Sequence, residues 1–343
     1  QPFMNMNITM VRYSYKMTLV IFLLLFMATL CVTPLIGSTS INIANALSGG
    51  IHAQNNLDAN ILFQVRLPRI LLGALAGAAL SVAGAVFQAL LRNDLAAPFT
   101  LGVSSGAALG AVLAIVLNLN ISILGFPMVS LFSFLGSLGA IFLVFSLVKT
   151  RHGEFPTSIL LLAGVTANFF FAAMVMFLHY ISDFGQSFRI IRWLMGGLDI
   201  TDYQTVLSIA PMVFLGIGLL VYVGRDLNLI STGVHSATSR GVDVPRTQRI
   251  GFITASLITG IVVSITGPIG FVGLIVPHIA RLFVGSDLRI LIPVSMLFGA
   301  SFLIICDTVA RTIIAPTEIP VGIITAMLGG PFFVWLLKRK KQA

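Results

Sequence analysis

From Ile70 to Leu91 the chain carries no charged residue, and small residues return at every fourth place: Gly73, Gly77, Ser81 and Ala85. In a helix that spacing lines one face with groups small enough for backbones to touch, which is how helices pack inside lipid. The pattern resumes at Gly102, Gly106 and Gly110. Charges bracket the run. Arg66 and Arg69 flank Pro68 at its start, and Arg92-Asn93-Asp94-Leu95 bends the chain before the second glycine series. Proline in a first turn costs nothing, because its missing N–H has no partner there. The stretch from Arg66 to Gly110 reads as two apolar helices joined by a polar elbow and packed against protein on at least one side.

Composition fixes the class. Charged residues make up 9% of the chain and hydrophobic residues 57%, against roughly 25% charged in soluble proteins. At roughly 20 apolar residues per crossing, 343 residues hold about ten spans. The expected fold is an all-α polytopic membrane protein, one membrane domain over residues 1–343. The predicted spans are 17–36, 67–91, 99–117, 127–149, 157–180, 203–224, 250–266, a short one after 267–270 that ends near Arg281, 290–309 and 320–337. An amphipathic connection occupies 181–202, and the longest strongly polar loop is 225–249. Ten spans put both termini on one side. Arg66, Arg69, Arg189, Arg192 and Arg311 then lie on the far side, and the other fifteen of the twenty Lys and Arg lie with the termini. The positive-inside rule makes the terminal side cytoplasmic. The net charge of +9 is therefore an orientation signal beside membrane lipid and not a nucleic-acid footprint. Spans two to five and seven to ten each open with a Gly-rich helix and a polar break, which reads as an inverted repeat.

Ion-coupled carriers keep carboxylates at mid-membrane to hold the coupling ion. Here the acidic residues cluster at span ends and in loops. Asp307 comes nearest to an exception, and Arg311 one turn later offers it an ion pair. No glycine-rich loop ends in Lys-Ser/Thr, so ATP has no P-loop site on this chain. The histidines are scattered, with no metal-ligand spacing, and Cys31 and Cys306 sit in apolar spans as small hydrophobes.

Six segments together resemble a known family: RLPR at 66–69 with the small-residue helix after it, the elbow at 92–98, LGVSSGAALG at 101–110, LLLAGV at 160–165 and GPIGFVGLIVPHIAR at 267–281. They look like the permease subunits of iron-siderophore, haem and vitamin B12 importers, the FecCD-like group of ABC transporters with the BtuC-like fold. The resemblance covers about 66–337. It implies two permease copies or paralogues forming a pathway between them, and two ABC ATPase subunits beneath that carry ATP and Mg. It also implies an extracytoplasmic binding protein above. No cofactor is expected in this chain, and no catalysis.

Residue by residue, the resemblance assigns Arg66, Arg69 and Arg311 to docking of the binding protein, as exposed guanidinium groups facing its glutamates. The plainer reading of these arginines is that they anchor helix ends at headgroups. Asn93, Leu95, Thr157 and Ser158 match the cytoplasmic gate, although Asp94 stands where the family usually has proline. Thr157 and Ser158 are equally ordinary helix-start residues. The loop 225–249 matches a coupling segment of two short helices that fits the ATPase. There Ala237, Arg240 and Gly241 occupy the contact motif, with Arg240 in place of a common leucine. Span five would line the pathway with Gly164, Asn168, Met174 and Phe177. The expected function is ATP-driven import of a ferric siderophore through the bacterial inner membrane, with haem, cobalamin or molybdate as alternative cargo. An ion-coupled secondary transporter is the alternative of another class.

Overall fold

The computed structural model describes residues 15–49, 56–119, 121–123, 125–147, 157–199 and 202–342. Its helices are α1 (Tyr15–Val32), α2 (Ile43–Gly49), α3 (Leu57–Asn60), α4 (Leu67–Leu91), α5 (Val103–Val116), α6 (Met128–Leu147) and α7 (Thr157–Tyr180). They continue as α8 (Phe184–Leu194), α9 (Tyr203–Thr232), α10 (Val234–Ser239), α11 (Val244–Thr266), α12 (Val272–Val284), α13 (Leu288–Thr312) and α14 (Val321–Gln342). A two-stranded ribbon pairs Ser122 with Pro127 and Ile123 with Phe126. Among the described residues, seven helices are long and apolar enough to cross a bilayer, and Val103–Val116, Val272–Val284 and Val321–Leu336 are shorter apolar helices. Together they occupy the ten predicted positions.

The centre of the bundle is α4, most of which is buried. Its small residues decide what surrounds it. Gly77 and Ser81 face Gly299 of α13, where an added Cβ on either glycine would overlap the other helix's backbone. The Ser81 hydroxyl donates to the Ser295 carbonyl at 2.7 Å. One face further round, Gly84 lies on Gly273 of α12, and a Cβ on Gly84 would overlap the Gly273 carbonyl oxygen. The second series works the same way: Gly106 and Gly110 bring α5 onto Gly136 and Phe132 of α6. Without a solvent-driven hydrophobic term between helices in lipid, such close approach is the main source of packing energy.

Two long helices, α4 and α11, are each followed by an irregular break and a short helix. The first break contains Arg92 at φ 48° and Gly102 at φ 80°, and the second Gly267 at φ 67° and Phe271 at φ 66°. A helix of 13 or 14 residues is about 20 Å long, less than the ~30 Å hydrocarbon layer. The breaks therefore fall within membrane depth, where irregular backbone persists only when enclosed by protein or lining a cavity. Since Arg69 meets the end of α13 and Leu90 of α4 meets Gly251 of α11, α4 runs antiparallel to both. The two long-helix, break, short-helix units are thus inverted relative to each other, in keeping with the repeat read in the sequence.

The polar loop predicted at 225–249 is mostly helix. α9 continues without interruption to Thr232, α10 follows, and α11 starts at Val244, six residues before the predicted span. Asp243 caps α11 by accepting the Arg246 N–H at 3.1 Å. Polar composition marks where these helices leave the bilayer and not where they end.

Replacing Gly84 by valine should lower stability by at least ~1–3 kcal/mol, the usual cost of overpacking. Gly139 of α6 has open space around its Cβ position, so Gly139→Ala should stay within ~1 kcal/mol of wild type. Thermal unfolding of the purified protein in detergent checks both.

Candidate functional site

At one end of the bundle the three singled-out arginines come together, but they point inward. Arg66, Arg69 and Arg311 are only 3%, 7% and 3% exposed. Arg69 grips Asp307 with a fork: Nε lies 3.1 Å from both carboxylate oxygens and Nη2 3.0 Å from Oδ1. Its Nη1 donates to Glu318 at 2.6 Å. Arg311 Nε stands 3.1 Å from Asp307 Oδ2, an ion pair without good hydrogen-bond alignment. The Arg66 guanidinium donates to the Pro34 carbonyl at 2.8 Å and to the Thr39 carbonyl. Gly37 makes room for it, since a Cβ there would stand 2.5 Å from Nη2. The expected exposed guanidinium groups are therefore absent. These side chains tie the segment after α1, the start of α4, the end of α13 and the segment before α14 into one rim. The Asp307–Arg311 pair forms at the predicted spacing, and sequence reasoning missed that Asp307 is fully enclosed and shared with Arg69.

Between this rim and the elbow lies an open cavity of about 680 Å³ lined by Phe99, Leu194, Met195, Pro268, Gly270, Gly322, Ile323, Ala326 and Met327. A second, about 160 Å³, adjoins it between Leu80, Pro98, Phe99 and Phe271. Both open onto the two helix breaks. The wall is stitched by backbone: Gly197 N–H donates to the Thr266 carbonyl and Gly322 N–H to the Gly196 carbonyl. A phenylalanine at positive φ is a strained position, and Phe271 is held there against Gly329 and the Phe333 ring, centroids 6.2 Å apart.

The predicted pathway residues of α7 are divided. Gly164 is enclosed: a Cβ there would stand 2.7 Å from Leu101 Cα and 2.8 Å from the Thr100 carbonyl. It seats α7 on the turn 98–101. Asn168, Met174 and Phe177 lie on the exposed face of α7. Sequence reasoning missed the lining from α14 and from 268–270. The Gly-Pro interruption in GPIG was the available signal.

The elbow is a compact turn. Arg92 takes the left-handed conformation that ends α4, Asn93 Oδ1 accepts the Leu95 N–H at 2.9 Å, and Leu95 is exposed. Thr157 opens α7, with its side chain outside the described residues, and Ser158 is exposed in the same turn. At the same end, α10 closes with a paired capping motif: Val242 N–H reaches the Ala237 carbonyl at 3.1 Å and Gly241 N–H the Thr238 carbonyl at 2.9 Å. Gly241 supplies the left-handed residue at φ 80° that this cap requires. Ala237 is buried beneath, and Arg240 is exposed. The expected second short helix of the coupling segment is instead the end of α9. That end is bolted to α13: Asn228 donates to Asp287 Oδ1 at 2.6 Å and accepts the Leu288 N–H at 2.8 Å. The Arg289 side chain, helped by its own N–H and by Asn228, holds the Asp287 carboxyl down at about 2.

The sequence pattern of the FecCD transport family matches residues 21–339. The chain belongs to that family. It is 41% identical over 297 residues to the uncharacterized ABC transporter permease protein YvrB of Bacillus subtilis, covering 86% of this chain and 83% of that one. It is 45% identical over 282 residues to the cobalamin import system permease protein BtuC of Halobacterium salinarum, covering 82% and 74%. A solved structure described as an inward-facing conformation of a metal-chelate type ABC transporter superposes with a TM-score of 0.79 at 33% identity, covering 95% of this chain and 99% of that chain. The chain is a multi-pass permease subunit of an ABC importer, a class that works with ATPase and binding-protein partners and leaves ATP hydrolysis to separate subunits.

Breaking the buried cluster from one side strands a charge. Arg69→Met should cost ~3–5 kcal/mol. Adding Asp307→Asn should recover part of that loss, a coupling that a double-mutant cycle of thermal stabilities would register. At the other end, Asp287→Asn keeps a competent cap but loses the charge. Because the folded carboxyl titrates below its ordinary value of ~3.9, its stabilisation is complete above that value and disappears as pH falls toward 2. The stability gap between wild type and Asp287→Asn should therefore narrow steadily from pH 5 to pH 2.

Proposed function

We propose that this permease imports a ferric siderophore across the bacterial inner membrane, as one permease domain over residues 1–343 that works in a pair with a second copy or a paralogue. The observation that carries the reading is the open cavity of about 680 Å³ at the helix breaks. Its side chains are all apolar, with polar backbone exposed between them and no charged group in the wall, which suits a bulky cargo handed over by a binding protein and passed on without tight capture. The metal-chelate type neighbour and a relative described as the Fe(3+) dicitrate transport system permease protein FecD of Escherichia coli favour an iron chelate. Relatives named for hemin and cobalamin keep those cargoes as outcomes of the test.

The elbow end is cytoplasmic on charge grounds, with both termini there. Two ATPase subunits, carrying ATP and Mg, meet α10, and Arg240 enters a cleft that answers it with an acidic or polar side chain. Asn93, Leu95, Thr157 and Ser158 form the gate at this mouth. The exposed face of α7, with Asn168, Met174 and Phe177, lines the pathway or meets the second permease, since a bare asparagine amid phenylalanines is costly against lipid. The binding protein meets the opposite end. There Arg66, Arg69 and Arg311 shape the rim from within, and the exposed charges of α8 make the direct contact. Arg189 donates to Asn118 at 2.9 Å and Arg192 to Asp199 at 3.1 Å.

Co-purification from the native membrane in mild detergent, followed by uptake assays in vesicles, tests the function. Recovery of an ATPase with the chain, and ATP-dependent uptake of a ferric siderophore in preference to haem or cobalamin, is the expected result. Uptake that follows a proton or sodium gradient without ATP would refute it. For docking, Arg189→Glu with Arg192→Glu should weaken binding-protein association and flatten its salt dependence while leaving thermal stability near wild type. Arg66→Glu with Arg311→Glu should instead collapse stability.

A further inference from the structure

Where the resembling family has proline at the elbow, this chain has Asp94, and the structure gives that carboxylate a partner. Arg281, near the end of α12, places Nη1 2.9 Å from Asp94 Oδ1 and Nη2 2.5 Å from Gln88 Oε1. Gln88 is buried in α4 and donates through Nε2 to the Gly273 carbonyl at 3.2 Å. Gly273 is also where α12 touches Gly84 of α4. The Arg281 side chain is thus anchored in a rigid block made of α4 and α12 and is 17% exposed, whereas Asp94, 54% exposed, belongs to the turn.

We propose that Arg281 is a positioning residue of the elbow. Through Asp94 it latches the Asn93–Leu95 turn to the α4–α12 block, and the mouth opens when that pair parts. The proposal rests on the reading of this turn as a gate. Proline would stiffen the turn by fixing its own φ. An ion pair holds the turn from outside and releases it. A charge-assisted bond with one half in water is strong enough to bias the turn and weak enough to break and re-form. It is also open to screening by salt. The Asx turn at Asn93 sets the local shape of the elbow, and the Asp94–Arg281 contact sets where the elbow sits against the bundle.

The test is thiol accessibility at the turn. Ala96, next in the turn and buried while the pair is intact, is replaced by cysteine in a Cys31→Ser background, with Cys306 left buried, and Ala96→Cys is labelled by a membrane-impermeant maleimide in the assembled transporter. Wild-type latch residues should give slow labelling that speeds up between about 50 mM and about 1 M salt. Asp94→Asn should label about three- to ten-fold faster, with no remaining salt dependence and an unchanged melting temperature. Asp94→Glu should restore much of the protection, and Asp94→Arg with Arg281→Asp should restore it together with the salt response. Labelling of Asp94→Asn at the wild-type rate with the wild-type salt response overturns the latch, whether or not the Arg281 variants fold. The gate reading fails separately, if nucleotide trapping of the ATPases leaves labelling of Ala96→Cys unchanged in the wild-type background.

Discussion

Close backbone contact between α4 and its neighbours is the constraint on which the rest of this structure depends. A helix in lipid gains nothing from hiding leucines, because lipid is as apolar as a leucine. It gains from approach, and approach is limited by side-chain volume. Gly77 against Gly299 and Gly84 against Gly273 let α13 and α12 lie on α4 at backbone distance. Once those helices are seated, the irregular segment 267–271 is carried to membrane depth beside the turn 98–101. Both cavities follow from that placement, since backbone that cannot be helical there must border open space or protein.

The polar groups do different work at the two ends. At the rim, Asp307 and its arginines are enclosed, and buried ion pairs of this kind contribute more to fixing one arrangement than to net stability. At the elbow, the contacts of Asp94 and Arg289 are half in water. The first end is enclosed on all sides, and the ion pairs of the second are open to screening by salt. That difference fits the proposed assignment of binding-protein docking to the rim and of the gate to the elbow.

Local signals made most of the fold legible. α4 and α7 begin and end where charges, Pro68 and helix-start residues put them. The short helices α5 and α12 were announced by the glycine and proline clusters ahead of them. The extension of α9 was not legible, because Arg225, Asp226 and Asn228 resemble loop composition, and only the Asn228–Asp287 clamp explains why a helix persists there. The arginine cluster was misjudged for a related reason. A guanidinium at a span end reads as solvent-facing unless its carboxylate is known. The partners of Arg69 lie 238 and 249 residues further along the chain, a separation no window or spacing rule connects.

Asp94 shows how a long-range pairing can supply what a residue's local character does not. Local sequence presents it as a defect, a flexible charged residue where a rigid one is usual. In the folded chain its carboxylate reaches a cation 187 residues away, and that cation is itself fixed through Gln88 to the same glycine contact that seats α12. Stiffness that a proline would make intrinsic to the turn is supplied here by the bundle. The two solutions differ in one physical respect: proline restrains the elbow in every state of the transport cycle, whereas an ion pair restrains it only while α12 and the turn are in register. The elbow of this permease is therefore joined to the α4–α12 block by a contact that, in the proposed latch, the transport cycle makes and breaks.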